Sequence, residues 1–562
     1  MKPAHTYWVL QKYSVWQILI FAAALLVSVA VINRSSLPFV VVLPAEALSD
    51  RPADGLLHKL RIILPDDVMI SLRAAVMHAE TGRASLNSSD ISQPATSYVY
   101  PILLSIFSFE SYPWVMPLVA VAFGLLSLLG CAFLIFRVGI LGAAPVPLWW
   151  LFFALFNAST LQYAFSGWEH LPQAFFVVLS AVCLIFAERQ GRSPSISILV
   201  VAGFGCAASF LFRADSFVLF APWLLVGAWY VAIRSIRWLC FLLSAAFTAV
   251  SYLAYQWNTY GHLLPTTARL KAGAVADWSD NALYILTNFV NGSAVAVTAL
   301  SAWFLWRHRP VLTPMLGSIA LSLLLFLVYG FTVSDVFPYA RMFIPAAMLG
   351  VLAATIVTSI GVRGDGVAII GLDRFFKIGL IFVAIGTLTT VAFDIGRTRV
   401  VQPSVRQVHP VVEHSILANV LRQRLDSTQH SVGLFWLGAG AYELRGFEIV
   451  DFLGKGDELI ARLPIKWGPP GHNKWDISLS IKRWNPAVII ARDDVATTPS
   501  HTRLQALESR RAWAFWEALY ENELVKDGYI YCRPAIAREF GLLIRRDLIG
   551  RFEGVCIFRG DK

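Results

Sequence analysis

The chain has 562 residues, of which 57% are hydrophobic and only 15% charged, against roughly 25% charged in soluble domains. That balance excludes a single soluble globule. The formal charge of +10 suits cytoplasmic loops and anionic lipid surfaces better than nucleic acid, because no basic-aromatic binding module is visible.

Apolar runs fill residues 14–393, and charge concentrates from about residue 395. The sequence therefore predicts an α-helical polytopic membrane region over 1–394 and a soluble α/β domain over 395–562, long enough for its own core. Residues 14–33 suffice to cross the hydrocarbon layer. Lys2 and Lys12 precede them and no clean cleavage site follows, so the first span is expected to stay uncleaved with its N-terminus inside. Residues 34–112 are then external. They contain Asp66 and Asp67, a short helix over about 67–81, and an apolar stretch at 97–109 that is too short to cross and reads as an interfacial helix.

Further spans are expected at about 113–136, 144–162, 171–188, 195–212, 217–233, 237–257, 283–306, 311–330, 338–360 and 374–393, which makes about eleven transmembrane helices in all. The loops then placed inside are short and basic: Arg137; Arg189 and Arg192; Arg234 and Arg237; Arg307 and Arg309; Arg363. An odd count satisfies the positive-inside rule and puts the C-terminal domain outside. The outer loops carry a different set: Asp66 and Asp67; Glu169 and His170; Arg213 and Asp215; His262, Thr266, Arg269 and Lys271; Tyr339 and Arg341. Polar groups at the ends of spans are costly unless solvated or used, so chemistry is expected on the outer face.

In the soluble domain, 407–428 reads as a helix, 431–436, 447–453 and 484–491 as strands, 502–523 as a helix, and the end as paired strands. Cys131, Cys183, Cys206 and Cys240 lie in apolar spans and suit packing. Cys532 and Cys556 could form a disulfide if their domain is extracytoplasmic.

These motifs, in order, resemble the GT-C superfamily of polyprenyl-phosphate-sugar-dependent glycosyltransferases, in pattern most like the bacterial terminal arabinofuranosyltransferase-like group. The matching stretches are Asp66-Asp67-Val-Met-Ile-Ser-Leu-Arg73, Ala79-Glu80, Leu86-Asn87, Ser166-Gly-Trp-Glu169, Arg213-Ala-Asp215, Tyr260-Gly-His-Leu-Leu-Pro265-Thr-Thr267 with Arg269 and Lys271, Tyr339-Ala-Arg341-Met-Phe-Ile-Pro345, Ile449-Val-Asp451-Phe-Leu-Gly454 and Pro470-Gly-His472. Each is weak alone. Together they span nearly the whole chain. The chain departs from the group at His262, where the group has an aspartate, at Asp215, a shorter acid, and ahead of Gly438-Ala-Gly440, where an acidic start is missing. The sugar is therefore not carried over with the fold.

The resemblance implies a bacterial inner-membrane enzyme with its active site on the extracytoplasmic side. It would move a sugar, arabinofuranose or another pentose or hexose, from a polyprenyl-phosphate donor to a glycan, lipid or protein acceptor. Asp66 is expected as the general base. Asp67, projecting about 100° away on a helix, would cap, orient substrate or help hold a metal. Glu169 and His170 would meet acceptor hydroxyls. Arg213, oriented by Asp215, would bind phosphate through its planar fork, and Arg269, Lys271, Tyr339 and Arg341 would line the head-group site with His262 and Thr266. Each also has a plainer reading, as a helix cap, a solvated loop acid or an interfacial anchor. Two adjacent aspartates are not a metal signature, so a divalent cation stays open as a cofactor. A transporter or flippase for lipid-linked sugars is the alternative, but it predicts inverted repeats or mid-membrane acids, and neither is seen.

Overall fold

A computed structural model describes residues 39–42, 60–109, 112–141, 158–271, 278–290, 294–332, 338–361, 410–466, 471–492, 514–534, 537 and 540–558. The expected spans at 14–33 and 374–393, and most of that at 144–162, lie outside the described residues. Among the described residues, six helices are long and apolar enough to cross a membrane: Val115–Val138, His170–Arg189, Ser216–Ile233, Ile236–Tyr260, Pro314–Thr332 and Ala340–Thr358. The chain is a multi-pass membrane protein. Ile196–Phe212 and Ala294–Arg307 are shorter apolar helices. The single span expected over 283–306 corresponds to two helices, Trp278–Val290 and Ala294–Arg307.

The chain divides into two compact units that are discontinuous in sequence. One comprises Met1–Leu37, Val121–Tyr252 and Ala276–Val405; the other comprises Pro38–Ala120, Leu253–Val275 and Arg406–Lys562. Residues 38–120 thus belong to the same unit as the C-terminal residues from 406 onward.

In the helical unit, Ala340–Thr358 is buried along its whole length. Leu225, Phe247 and Val250 on other helices stay exposed, as lipid-facing residues do. Small residues let helices approach closely: a Cβ on Gly203 would collide with the Phe241 carbonyl oxygen. At the far end of His170–Arg189, buried Glu188 accepts hydrogen bonds from Tyr230 Oη, Thr313 Oγ1 and, at 3.1 Å, the Met315 amide. A buried carboxylate needs such partners.

The second unit is built on a mixed six-stranded sheet in the order β4-β3-β5-β7-β6-β8. Its strands are β3 (Ser431–Leu434), β4 (Glu448–Asp451), β5 (Val488–Arg492), β6 (Tyr529–Pro534), β7 (Phe540–Arg545) and β8 (Cys556–Phe558). β4, β3 and β5 run parallel, and β7, β6 and β8 add antiparallel. β3, β4 and β5 are almost wholly buried, as parallel strands covered on both faces are. A separate antiparallel pair joins β1 (Phe39–Val42) to β2 (Leu60–Ile63). The core gathers Leu434, Phe435, Phe452, Phe515, Trp516 and Phe540.

Three side chains fasten residues 73–113 to this sheet and the helix beside it. Asn87 pairs with the β4 edge, donating to the Ile449 carbonyl at 2.9 Å and accepting from its amide at 2.7 Å. Tyr442 donates to the Pro113 carbonyl at 2.6 Å. Arg73, fully buried, donates to the carbonyls of Leu86, Leu444 and Phe447 at 2.9, 3.4 and 3.1 Å.

Cys532 and Cys556 form the expected disulfide across β6 and β8. In protein purified without reductant, both thiols should resist alkylation until a reductant is added. Replacing the pair with serine should cost about 2–4 kcal/mol of unfolding free energy.

Candidate active site

The Asp66–Thr81 helix starts directly at the acid pair, behind Pro65. Proline before the first turn loses no needed hydrogen bond, and the Pro65 carbonyl accepts from the Val68 and Met69 amides at 2.9 and 3.1 Å. Carboxylates in a first turn are favoured by the helix dipole.

The two acids then diverge. Asp66 Oδ1 accepts from the Gly438 amide at 2.9 Å, at the start of the short Gly438–Glu443 helix. Only glycine fits there, because a Cβ on Gly438 would collide with the Asp66 carbonyl oxygen and carboxylate. Asp66 keeps partial solvent exposure, yet burial raises its carboxyl to about 6 against the opposing charge of Lys455, while Asp67 adds to the rise and the Gly438 and Ala439 amides work against it. Asp67 instead meets Lys455, whose Nζ lies 3.2 Å from Oδ1. Burial works against the charge on Lys455, but Asp67 and Asp66 outweigh it and hold the ammonium above its ordinary range.

Lys455 is held in place by the turn after β4. Buried Asp451 accepts from the Leu453 and Gly456 amides at 2.9 and 2.6 Å, which closes the loop around the lysine. Burial raises Asp451 to about 6 as well. Lys455 is not among the residues that the sequence singles out. Its signal is the lone cation in Gly454-Lys455-Gly456, directly behind the Ile449-Val-Asp451 motif.

His262, Thr266, Arg269 and Lys271 belong to the same unit as the acid pair. Thr266 exchanges hydrogen bonds with Gln93, accepting from its amide at 3.2 Å and donating its own amide to the Gln93 carbonyl at 3.1 Å. Tyr260 Oη accepts from the Ala84 amide at 2.7 Å. Arg269 forms a close ion pair with Glu458, which also takes Arg462 at 2.9 Å. Lys271 is exposed. Partial burial, aided by the neighbouring charge of Arg269, lowers the His262 pKa below its usual range.

Glu169, His170, Arg213, Asp215, Tyr339 and Arg341 belong to the helical unit. Arg213 spends its fork on two carboxylates: Nη1 lies 3.0 Å from Glu169, and Nε and Nη2 lie 3.0 and 2.9 Å from one oxygen of Asp215. Gln173 donates to the other Asp215 oxygen at 2.7 Å. Where the sequence suggested a fork open to phosphate, the geometry makes Arg213 a clamp that orients Glu169 and Asp215. The sequence points to Asp215, two residues away, as a partner of Arg213, but not to Glu169, 44 residues away. His170 is buried against Tyr163 and Trp168, and buried Arg341 stacks over Trp168 at 4.0 Å. Tyr339 lies in the short Pro338–Phe343 helix. Among the described residues, no three His, Cys, Asp or Glu side chains are grouped to hold a metal, and the charge of Asp67 is met by Lys455.

ArnT from Cupriavidus metallidurans in the apo state is similar at TM-score 0.50 and 13% identity, over 94% of this chain and 97% of that one. The fold is of the GT-C type. Two more structures match the chain at lower scores. ArnT bound to undecaprenyl phosphate gives TM-score 0.48 and 14% identity over 94% and 97% of the two chains. The oligosaccharyltransferase AglB from Archaeoglobus fulgidus, in complex with an inhibitory peptide and a dolichol-phosphate, gives 0.43 and 12% over 95% and 74%. No family profile and no curated protein sequence matches the chain.

Proposed function

We propose that this GT-C protein is an integral membrane glycosyltransferase that moves a sugar from a polyprenyl-phosphate donor to an extracytoplasmic glycan, lipid or protein acceptor. The observation that carries the reading is Asp66: a carboxyl at a helix start, raised to about 6, beside a second acid already paired with a lysine. Transfer joins an acceptor oxygen to the anomeric carbon as the carbon–oxygen bond to phosphate breaks. The acceptor hydroxyl loses its proton to Asp66, and the polyprenyl phosphate leaves as an anion. A base works best when its pKa lies near the operating pH, and about 6 is closer to neutrality than an ordinary aspartate.

Asp67 and Lys455 position Asp66 and keep it ionisable. Lys271 supplies positive charge for the departing phosphate. In the helical unit, Glu169 is held by Arg213, and its carboxylate is suited to accept hydrogen bonds from sugar hydroxyls. An extracytoplasmic C-terminal unit accords with its disulfide. The sugar is arabinofuranose or another pentose or hexose. The reading is tested by offering purified protein a panel of polyprenyl-phosphate sugars, with release of polyprenyl phosphate as the readout. No turnover on any donor would refute it.

Lys455 yields a sharper expectation. Its charge lowers the Asp66 pKa, so Lys455→Met should move the acid limb of the pH–rate profile to higher pH. Transfer at about pH 6 should fall by more than at about pH 8. A uniform loss at all pH values would assign Lys455 to folding alone.

A further inference from the structure

A cleft of about 390 Å³ opens in the sheet-containing unit, apart from the acid pair. One wall is the turn behind β4, at Asp457 and Glu458; another is the external loop at Ser89 and Asp90; the third is the end of the Ile477–Trp484 helix. The walls are stitched together rather than loosely apposed. Ser92 Oγ donates to the Gly456 carbonyl, and Ser89 Oγ donates to Glu448 at 2.9 Å.

The charges in this cleft compensate one another. Arg483 lies 3.3 Å from Asp457, and Arg462 lies 2.9 Å from Glu458, which also pairs with Arg269. Trp484 donates its indole N–H to Asp457 at 3.4 Å, and the Arg483 guanidinium covers its ring at 4.7 Å. Asp90 accepts from the Asn87 amide at 3.0 Å. Burial, with Glu448 and Asp457 near by, raises its carboxyl to about 7, so near neutral pH it both donates and accepts. Exposed Ile91 and Leu459 add an apolar rim.

This chemistry selects among ligand classes. A phosphate or uronate would face three carboxyl groups, and a cation would face two guanidinium groups. No described cluster is arranged for a metal. A neutral polyol fits all of it. Planar, charge-assisted donors and acceptors meet its hydroxyls, and the Trp484 edge with Ile91 and Leu459 meets its C–H faces. The volume is at the small end of ligand sites, roughly 300–1,000 Å³, and suits one or two sugar units. Gly456 in the wall directly follows Lys455, the partner of Asp67, so the cleft lies next in the chain to the lysine of the acid pair.

We propose that this cleft is a neutral-glycan subsite that holds one or two sugar units of the acceptor through Asp90, Asp457, Arg483 and Trp484. Its assignment to the acceptor rests on the transferase reading above; its affinity for neutral sugar does not.

The test presents the full chain, purified in detergent, to immobilised oligosaccharides of three kinds: neutral, uronate-bearing and amino-sugar-bearing. Neutral members should be retained. Retention should fall roughly tenfold or more in Trp484→Ala and also in Ser89→Trp, which fills the cleft from an exposed position without touching the core. Asp66→Asn should retain glycan like wild type. Retention of no neutral member, or retention unchanged in Ser89→Trp, would overturn the subsite. A protein that retains neutral glycan yet transfers no sugar keeps the subsite and loses the transferase reading. Transfer with an acceptor KM unaltered by Ser89→Trp keeps the transferase and loses the subsite.

Discussion

Asp66→Asn should lower sugar transfer by about 10²–10⁴-fold, the usual range for removing a general base, while leaving the protein at least as stable as wild type. The two halves of this expectation have one physical origin. The amide oxygen of the replacement would still accept the Gly438 N–H bond, so the geometry survives, but it cannot take a proton. The folded-state pKa of Asp66, about 6, stands above its ordinary value of 3.8, so the fold favours the protonated form. That contribution to stability is fully present below about pH 4 and is lost as pH rises through about 6. At about pH 7 wild type therefore carries a penalty that the amide lacks, on the order of 1 kcal/mol once partial exposure is allowed for. Transfer in wild type should rise with pH through about 6 and then level off, as the base ionises. Turnover assays from about pH 4.5 to about pH 8, spanning that ionisation, and thermal unfolding in detergent check both halves. Near-wild-type turnover in the variant would remove Asp66 from the chemistry, and Asp67→Asn would then be the variant to examine.

Arg73→Leu should destabilise the sheet-containing unit by about 3–5 kcal/mol, comparable to breaking a buried ionic contact. The Arg73 guanidinium is withdrawn from solvent and its pKa is lowered by burial to about 10. It donates to the carbonyls of Leu86, Leu444 and Phe447. A leucine would leave three carbonyls without this donor, and each unsatisfied buried polar group costs about 1–3 kcal/mol. Because Leu86 lies in the loop after the Asp66–Thr81 helix and Leu444 and Phe447 just ahead of β4, the loss should loosen that loop from the sheet. Limited proteolysis should cut within residues 84–109 in the variant before it cuts wild type, and the unfolding midpoint should fall. An unchanged midpoint would mean that water replaces the guanidinium at no cost.

Arg73 also illustrates where the sequence alone stops. It belongs to the Asp66–Arg73 motif, which names none of its partners. The structure gives it a buried place between loop and sheet, where it holds the two together. Arg213 and Arg269 follow the same logic. In the sequence they are cations at span ends, suited to phosphate; in the fold each is paired to carboxylates, Glu169 and Asp215 in one case and Glu458 in the other. Lys455 is the converse. Its one mark in the chain is a lone cation between two glycines, 388 residues from Asp67, yet it is the partner that separates the two acids chemically.

What the sequence by itself determined are the features written in local pattern. Apolar runs of sufficient length specify spans, and the Pro65-Asp66-Asp67 start specifies a helix beginning where it is observed. Alternating and β-branched runs specify β3, β4 and β5 within a few residues of their ends, and two cysteines in a domain expected to be extracytoplasmic allowed the Cys532–Cys556 pair. What only the tertiary structure decided are the partners. Asp66 meets Gly438 372 residues away, Arg73 meets Leu444 at 371, and segments 38–120, 253–275 and 406–562 assemble into one unit. Hydrophobic periodicity reports which face of an element is buried. It carries no information about which distant polar group will lie against a buried charge, and that pairing determines whether an acid is a helix cap, half of an ion pair or a base near neutrality.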